Sequence, residues 1–176
     1  RKERDAGRAS WSIGMGSQEL DDLLDAEPQR FHPGDLDYIH SVERIGRLSN
    51  VISINGGVQL DLMGQENAES AGTRQLSGVG GQMDFLEGAF RSRGGKGFIC
   101  INSSRVTKDG ERKSNILPVI PGGSTISAPR TMIDCVATEY GVVRLAGKSL
   151  RERAEAMASI AHPDFREELM KYAREH

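Results

Sequence analysis

Nine of the 21 glycines in this 176-residue chain fall between Gly64 and Gly97. Glycines crowd where backbone must pass close to another group or adopt a positive φ. Within the stretch, Gly78-Val-Gly-Gly81 runs directly into a helical pattern that starts at Gln82. Bare N–H groups at such a junction attract an anion or a developing negative charge. Gln65 and Asn67, just upstream, add neutral hydrogen-bonding amides. The pattern points to a site for an anionic ligand or an oxyanion.

The rest of the chain alternates short apolar runs with helical periodicity. Residues 9–15 read as a strand, and Ser17 is placed to cap a helix carrying Leu20, Leu23 and Leu24. Residues 31–35 carry turn chemistry, and 41–48 suggest a short helix. Residues 51–54 and 58–62 alternate at period two around Asn55-Gly56-Gly57, which predicts a hairpin. A helix is expected over 82–91 with Phe85, Leu86, Ala89 and Phe90 inward, then a strand over 98–101. A charged loop over 108–113 and strands over 115–120, 124–127 and 132–138 follow. Ser149-x-x-Glu152 is a capping box for a helix to about residue 159, and Pro163 opens a last amphipathic helix. Strands alternating with helices predict an α/β domain.

Composition narrows the function classes. With 23 basic and 25 acidic side chains, the formal net charge is −2, so no electrostatic footprint for nucleic acid exists. Aromatic residues are 5% of the chain, so aliphatic side chains must build the core. Cys100 and Cys135 sit in apolar runs and read as small buried hydrophobes. No apolar run approaches the ~18 residues that span a bilayer, and no apolar leader follows Arg1. A reduced, cytoplasmic setting is the expectation. The charged run 1–8 and the absence of an initiator methionine lead us to expect a fragment of a longer polypeptide.

Familiar nucleotide and catalytic motifs fail. A dinucleotide fingerprint starting at Gly78 and Gly80 needs glycine at Met83, and a P-loop ending at Gly95-Lys96 needs it at Phe90. The four histidines are scattered, so no metal site is expected. G-x-S-x-G is absent, and no Ser/His/Asp set has diagnostic spacing.

The residues nevertheless form a larger pattern. It comprises Ser53-Ile-Asn55, Asp61-Leu-x-Gly-Gln-x-Asn-Ala-Glu-Ser70, Ser77-Gly-x-Gly-Gly-Gln-x-Asp-Phe85 and Gly94-Gly-Lys-x-Phe-Ile-Cys100. It continues through Pro129-Arg130, Val136-x-Thr-Glu-Tyr-Gly141, Leu145-x-Gly-Lys-Ser149 and Ile160-Ala-His-Pro-Asp-Phe-Arg166. From about Ser10 onward the chain resembles the C-terminal domain of the acetyl-CoA hydrolase/CoA-transferase family. That group includes acetate, butyrate and 4-hydroxybutyrate CoA-transferases.

The resemblance implies a fold, a reaction and partners. The fold is an open, mostly parallel sheet flanked by helices, of the NagB/RpiA-like kind, over residues 10–176. Residues 1–9 would be a charged lead-in from a missing N-terminal domain. The reaction is ping-pong transfer of CoA between a short-chain acyl-CoA and a carboxylic acid, through a glutamyl-CoA thioester. Coenzyme A is then a substrate, and no bound cofactor is needed. Hydrolysis of acyl-CoA is the alternative; a non-catalytic CoA-binding or assembly role for the fragment is another. The family's nucleophilic glutamate falls upstream of Arg1 by this placement, and Glu3 does not match its setting. Partners would be the N-terminal domain and a second copy in a homodimer.

Among individual residues, the resemblance places Asn67 at the oxyanion site, with a turn residue capping its own loop as the alternative. Gly78, Gly80 and Gly81 would line the thioester or CoA, or form a tight turn into the helix. Lys96 would meet a CoA phosphate, or be a solvated turn lysine. Glu69 reads as a structural hydrogen-bonding residue, Glu139 as part of the site's floor, and His162 as a helix cap.

Overall fold

The computed structural model describes residues 4–176. Residues 1–3, part of the expected lead-in 1–9, lie outside the described residues. In chain order, β1 (Ala9–Trp11) precedes α1 (Gln18–Ala26), β2 (Phe31–Pro33), α2 (Leu36–Ile39) and α3 (Val42–Gly46). Next come β3 (Ile52–Gly56), β4 (Gln59–Asp61), β5 (Glu66–Asn67), β6 (Ser70–Ala71), β7 (Arg74–Gln75) and α4 (Gln82–Arg91). β8 (Lys96–Cys100), β9 (Ser104–Val106), β10 (Arg112–Ser114) and β11 (Ile116–Leu117) follow. The chain closes with β12 (Cys135–Thr138), β13 (Gly141–Arg144), α5 (Leu150–Ser159) and α6 (Pro163–Glu175).

The main sheet has four strands in the order β13-β12-β8-β3. β3, β8 and β12 are parallel, and β13 folds back antiparallel on β12. One face of this sheet carries Ser53, Ile99 and Val136, all buried, and receives α4. The fit of α4 depends on Gly97: a Cβ there would lie 2.9 Å from Leu86 Cδ2. Leu60, Leu62, Ile116, Leu145 and Met157 complete this aliphatic core, as the low aromatic content requires. A second, three-stranded sheet, β11-β4-β5, sits beside it.

The helices formed where local signals were strongest. Ser149 accepts from the Glu152 N–H while the Glu152 carboxylate accepts from the Ser149 N–H, closing the capping box that starts α5. His162 caps α6 by accepting from the Asp164 N–H. Ser41 caps α3 the same way through the Arg44 N–H.

Several expectations need correction. Residues 51–62 do not form a hairpin, because β3 and β4 belong to different sheets. Beyond β3, the Gly57 N–H donates to the Cys100 carbonyl, and Leu60 then bonds Asn115. Phe90 is 71% exposed, because the inward side of α4 is set by Gln82, Leu86, Gly88 and Ala89, with Ile45 of α3 against Gly88. Residues 31–33 are a strand, held parallel to β1 with Trp11 stacked on Phe31 at 5.3 Å. Residues 124–127 form no strand; just beyond them, Ala128 makes an isolated bridge with Glu66. Helices cover one face of the main sheet among the described residues, whereas Ile52, Ile54 and Val142 on the other face are exposed.

Candidate active site

The carboxyl ends of parallel strands are where open α/β sheets receive ligands. Here β3, β8 and β12 end at a cleft of about 440 Å³ lined by Gly57, Cys100, Ile101, Asn102, Ala137 and Thr138. Glu139 stands in the two-residue turn after β12. Its carboxylate accepts from the Ser103 N–H at 2.9 Å and the Ser103 hydroxyl at 2.6 Å. Desolvation raises its pKa, but the Ser103 hydrogen bonds, with its own backbone N–H and nearby His162, outweigh it and hold the group below the usual carboxylate range.

Behind Gly57 lies a buried acid. Glu66 is fully buried, and its Oε2 accepts from the side-chain amide of Gln82, the first residue of α4. Its Oε1 has no hydrogen-bond partner. A Cβ on Gly57 would lie 2.7 Å from that oxygen, so only glycine lets the strand end pass over the carboxyl. Burial pushes the Glu66 carboxyl up to about 8, against a smaller lowering by Gln82. The group is therefore a neutral acid at pH 7. It ties β5 to the start of α4.

Asn67, the next residue, is fully buried. Its Oδ1 accepts from the Ser70 N–H at 2.9 Å and the Glu69 N–H at 3.1 Å. Its Nδ2 donates to the Ser70 carbonyl at 2.8 Å and reaches Gln59 Oε1 at 3.5 Å. Both polar atoms of the carboxamide are thus engaged, by the loop over 67–70 and by Gln59 of β4. Glu69 also serves that loop, accepting from the Gln75 side chain at 3.3 Å.

Gly78 and Gly80 are exposed, and a Cβ on either would meet nothing within 4 Å. Gly80 needs its glycine for a different reason, a φ of +58°. Gly81 is the N-cap of α4 and offers no side chain to the helix. Helical bonding begins with the Phe85 N–H to the Gly81 carbonyl, so the N–H groups before it have no acceptor within the helix. This turn borders a cleft of about 710 Å³ shared with Ile13, Leu36, His40 and Asp84. His40 sits on Gly81 so closely that a Cβ would lie 2.3 Å from its ring.

Lys96 lies elsewhere. It is exposed at the start of β8, in a hollow of about 150 Å³ with Phe90, Asp134 and Arg144. The structure brings Gly80 and Gly81 together in one cleft, places Asn67 in the buried loop behind, and sets Lys96 in a separate hollow. Sequence reading missed Ser12, His40 and Gln82, and no local spacing could have joined them.

A mostly parallel sheet, with a glycine turn, a buried acid and a paired Glu–Ser near the carboxyl ends of its strands, is the architecture of an open α/β domain. Residues 16–173 match the acetyl-CoA hydrolase/transferase C-terminal domain, and the chain belongs to that family. It is 41% identical over 173 residues to the butyryl-CoA:acetate CoA-transferase of Anaerostipes caccae, covering 98% of this chain and 39% of that one. It is 45% identical over 156 residues to the 4-hydroxybutyrate coenzyme A transferase of Clostridium kluyveri, covering 89% and 35%. The structure of RipA from Yersinia pestis superposes with a TM-score of 0.87 at 38% identity, covering 99% of this chain and 38% of that one. The chain thus spans about two fifths of the length of these relatives.

Proposed function

We propose that the protein transfers CoA between a short-chain acyl-CoA and a carboxylic acid, through a glutamyl-CoA thioester. The observation that carries this is the family match across residues 16–173, with an open glycine turn where the family resemblance expects the thioester. In this reading Gly78, Gly80 and Gly81 present backbone N–H groups and bare α-carbons to the thioester. Asn67 holds the loop behind them. Lys96 takes a CoA phosphate only if the nucleotide end of CoA runs as far as the start of β8. The nucleophile is a glutamate upstream of Arg1, so these 176 residues alone would not catalyse transfer.

The rest of the polypeptide has a place to dock. Ile52, Ile54, Phe98, Ala137 and Val142 share one face of the main sheet by register. Ile54 and Val142 are 69% and 62% exposed. Parallel sheets are normally covered on both faces, and exposed apolar patches mark interfaces. The relatives carry the missing length, so we assign this face to a further segment of the same chain. Homodimer formation and a cytoplasmic location complete the reading; no helix among the described residues is long and apolar enough to cross a membrane.

The test is exchange of labelled acetate into acyl-CoA by the natural full-length polypeptide, with Gly80→Val as the probe. Exchange by the unaltered protein, reduced on the order of 100-fold in the variant, supports the reading. No exchange from any short-chain acyl-CoA overturns it. Docking is tested separately with Ile54→Cys: slow thiol labelling at every protein concentration is expected, and labelling as fast as at a fully exposed site refutes it.

A further inference from the structure

Three residues that no sequence spacing connects meet at the glycine turn. Ser12 follows β1, His40 caps the end of α2, and Asp84 lies in the first turn of α4. Ser12 Oγ is 2.9 Å from His40 Nε2. His40 Nδ1 is 3.5 Å from Asp84 Oδ2. The two ring nitrogens therefore face different partners, a hydroxyl on one side and a carboxylate on the other. An Nδ1–H directed at the carboxylate would leave Nε2 to take the hydroxyl proton, which is the arrangement of an activated nucleophile.

The surroundings fit the same chemistry. The His40 ring is packed edge-on against Phe85 at 5.2 Å and sits directly over Gly81. It is 20% exposed, so it is held in place yet reachable. His40, Asp84, Gly80 and Gly81 line one cleft, with Ile13 and Leu36 as apolar wall. α4 has ten residues, and its first helical hydrogen bond is Phe85 N–H to the Gly81 carbonyl. The N–H groups ahead of Phe85 have no helical acceptor, so donors for an oxyanion stand on the same cleft as the histidine. The Asp84 contact is long for a hydrogen bond, as catalytic contacts often are before substrate binds.

We propose that Ser12, His40 and Asp84 form a serine acyl-transfer site that hydrolyses activated acyl esters and thioesters. Ser12 Oγ bonds to the acyl carbon as its proton passes to His40 Nε2. The carbon–sulfur or carbon–oxygen bond breaks, and the leaving thiolate or alkoxide takes that proton. Water then adds to the acyl-serine with the same base, releasing the carboxylic acid and restoring the hydroxyl. No oxidant, metal or cofactor enters the balance. The choice of a thioester as natural substrate rests on the proposed function; the serine chemistry does not.

The experiment is labelling of the natural full-length polypeptide with a fluorophosphonate, a serine-directed probe that carries no CoA, followed by peptide mass spectrometry. Modification of Ser12 is expected. His40→Gln should slow it at least about 100-fold, the lower end of what a general base contributes. Asp84→Asn, a near-isosteric substitution at a half-exposed side chain, should slow it by ~10-fold or more through the lost carboxylate. Release of p-nitrophenol from p-nitrophenyl acetate should follow the same order. Labelling absent from the unaltered protein, directed to another serine, or unchanged in His40→Gln overturns the proposal. Acetate exchange is read separately, so a failure of serine labelling and a failure of CoA transfer remain distinct results.

Discussion

Replacing Glu66 by glutamine removes a buried titration and leaves the shape almost unchanged. The folded-state pKa is raised from 4.5 to about 8 by burial. A raised acid favours the fold fully below the unfolded value of 4.5, and that advantage is lost as pH climbs through 8. Between pH 5 and pH 8 the unfolded carboxyl is ionised while the folded one still holds most of its proton. Integrating that difference at about 1.36 kcal/mol per pH unit gives about 3.5 kcal/mol lost by the natural protein over this interval. That is a large part of the 5–15 kcal/mol typical of a domain. Glutamine can still accept from Gln82, and its own amide adds a constant offset that pH does not change. Urea unfolding of both proteins at pH 5 and pH 8 therefore isolates the titration. Glu66→Gln should gain about 3–4 kcal/mol relative to the natural protein on going from pH 5 to pH 8. A difference that stays constant within about 0.5 kcal/mol would refute a neutral, buried Glu66.

Two further substitutions address the frame around the site. Asn67→Ala removes the acceptor for two backbone N–H groups and should cost about 2–3 kcal/mol, with faster hydrogen exchange at Glu69 and Ser70. Unaltered exchange there would show that the loop holds itself. Arg153 is buried, and its guanidinium donates to the carbonyls of Met63, Leu145 and Arg130 at 2.8, 3.0 and 2.8 Å. Arg153→Met keeps much of the stem but strands three acceptors, so a loss of about 3 kcal/mol in denaturant unfolding is expected.

The parts of this fold legible in the sequence are those fixed by nearby residues. α4 appears where its hydrophobic period places it, and α5 where its capping box does, because an N-cap bonds only two or three positions away. The glycine turn was legible too, since a positive φ at Gly80 is a local demand. What failed depended on distance. Asn55-Gly56-Gly57 carries a hairpin signal, yet parallel pairing of β3 with β8 takes the strand elsewhere. Nothing in the residues adjacent to Glu66 or Ser12 gives their tertiary surroundings. The first is buried because β4, β5 and the Ala128 segment close around it, and the second gains a partner 28 residues away in the chain. The family pattern reached further than either kind of signal, but it named positions rather than contacts. Asn67 shows the difference: its place in the pattern is clear, whereas its hydrogen bonds, to Glu69 and Ser70 and to Gln59 of β4, are not named by the pattern.

The central claim is that this domain supplies the thioester-binding side of a CoA-transferase whose nucleophile lies outside these 176 residues. The most direct measurement is to incubate the natural full-length polypeptide with acyl-CoA, reduce with borohydride, and locate the modified residue by mass spectrometry. The account predicts one reduced glutamate, upstream of Arg1, and none among Glu66, Glu69 and Glu139. Modification of any of those three, or continued CoA transfer with no glutamate modified, would contradict it.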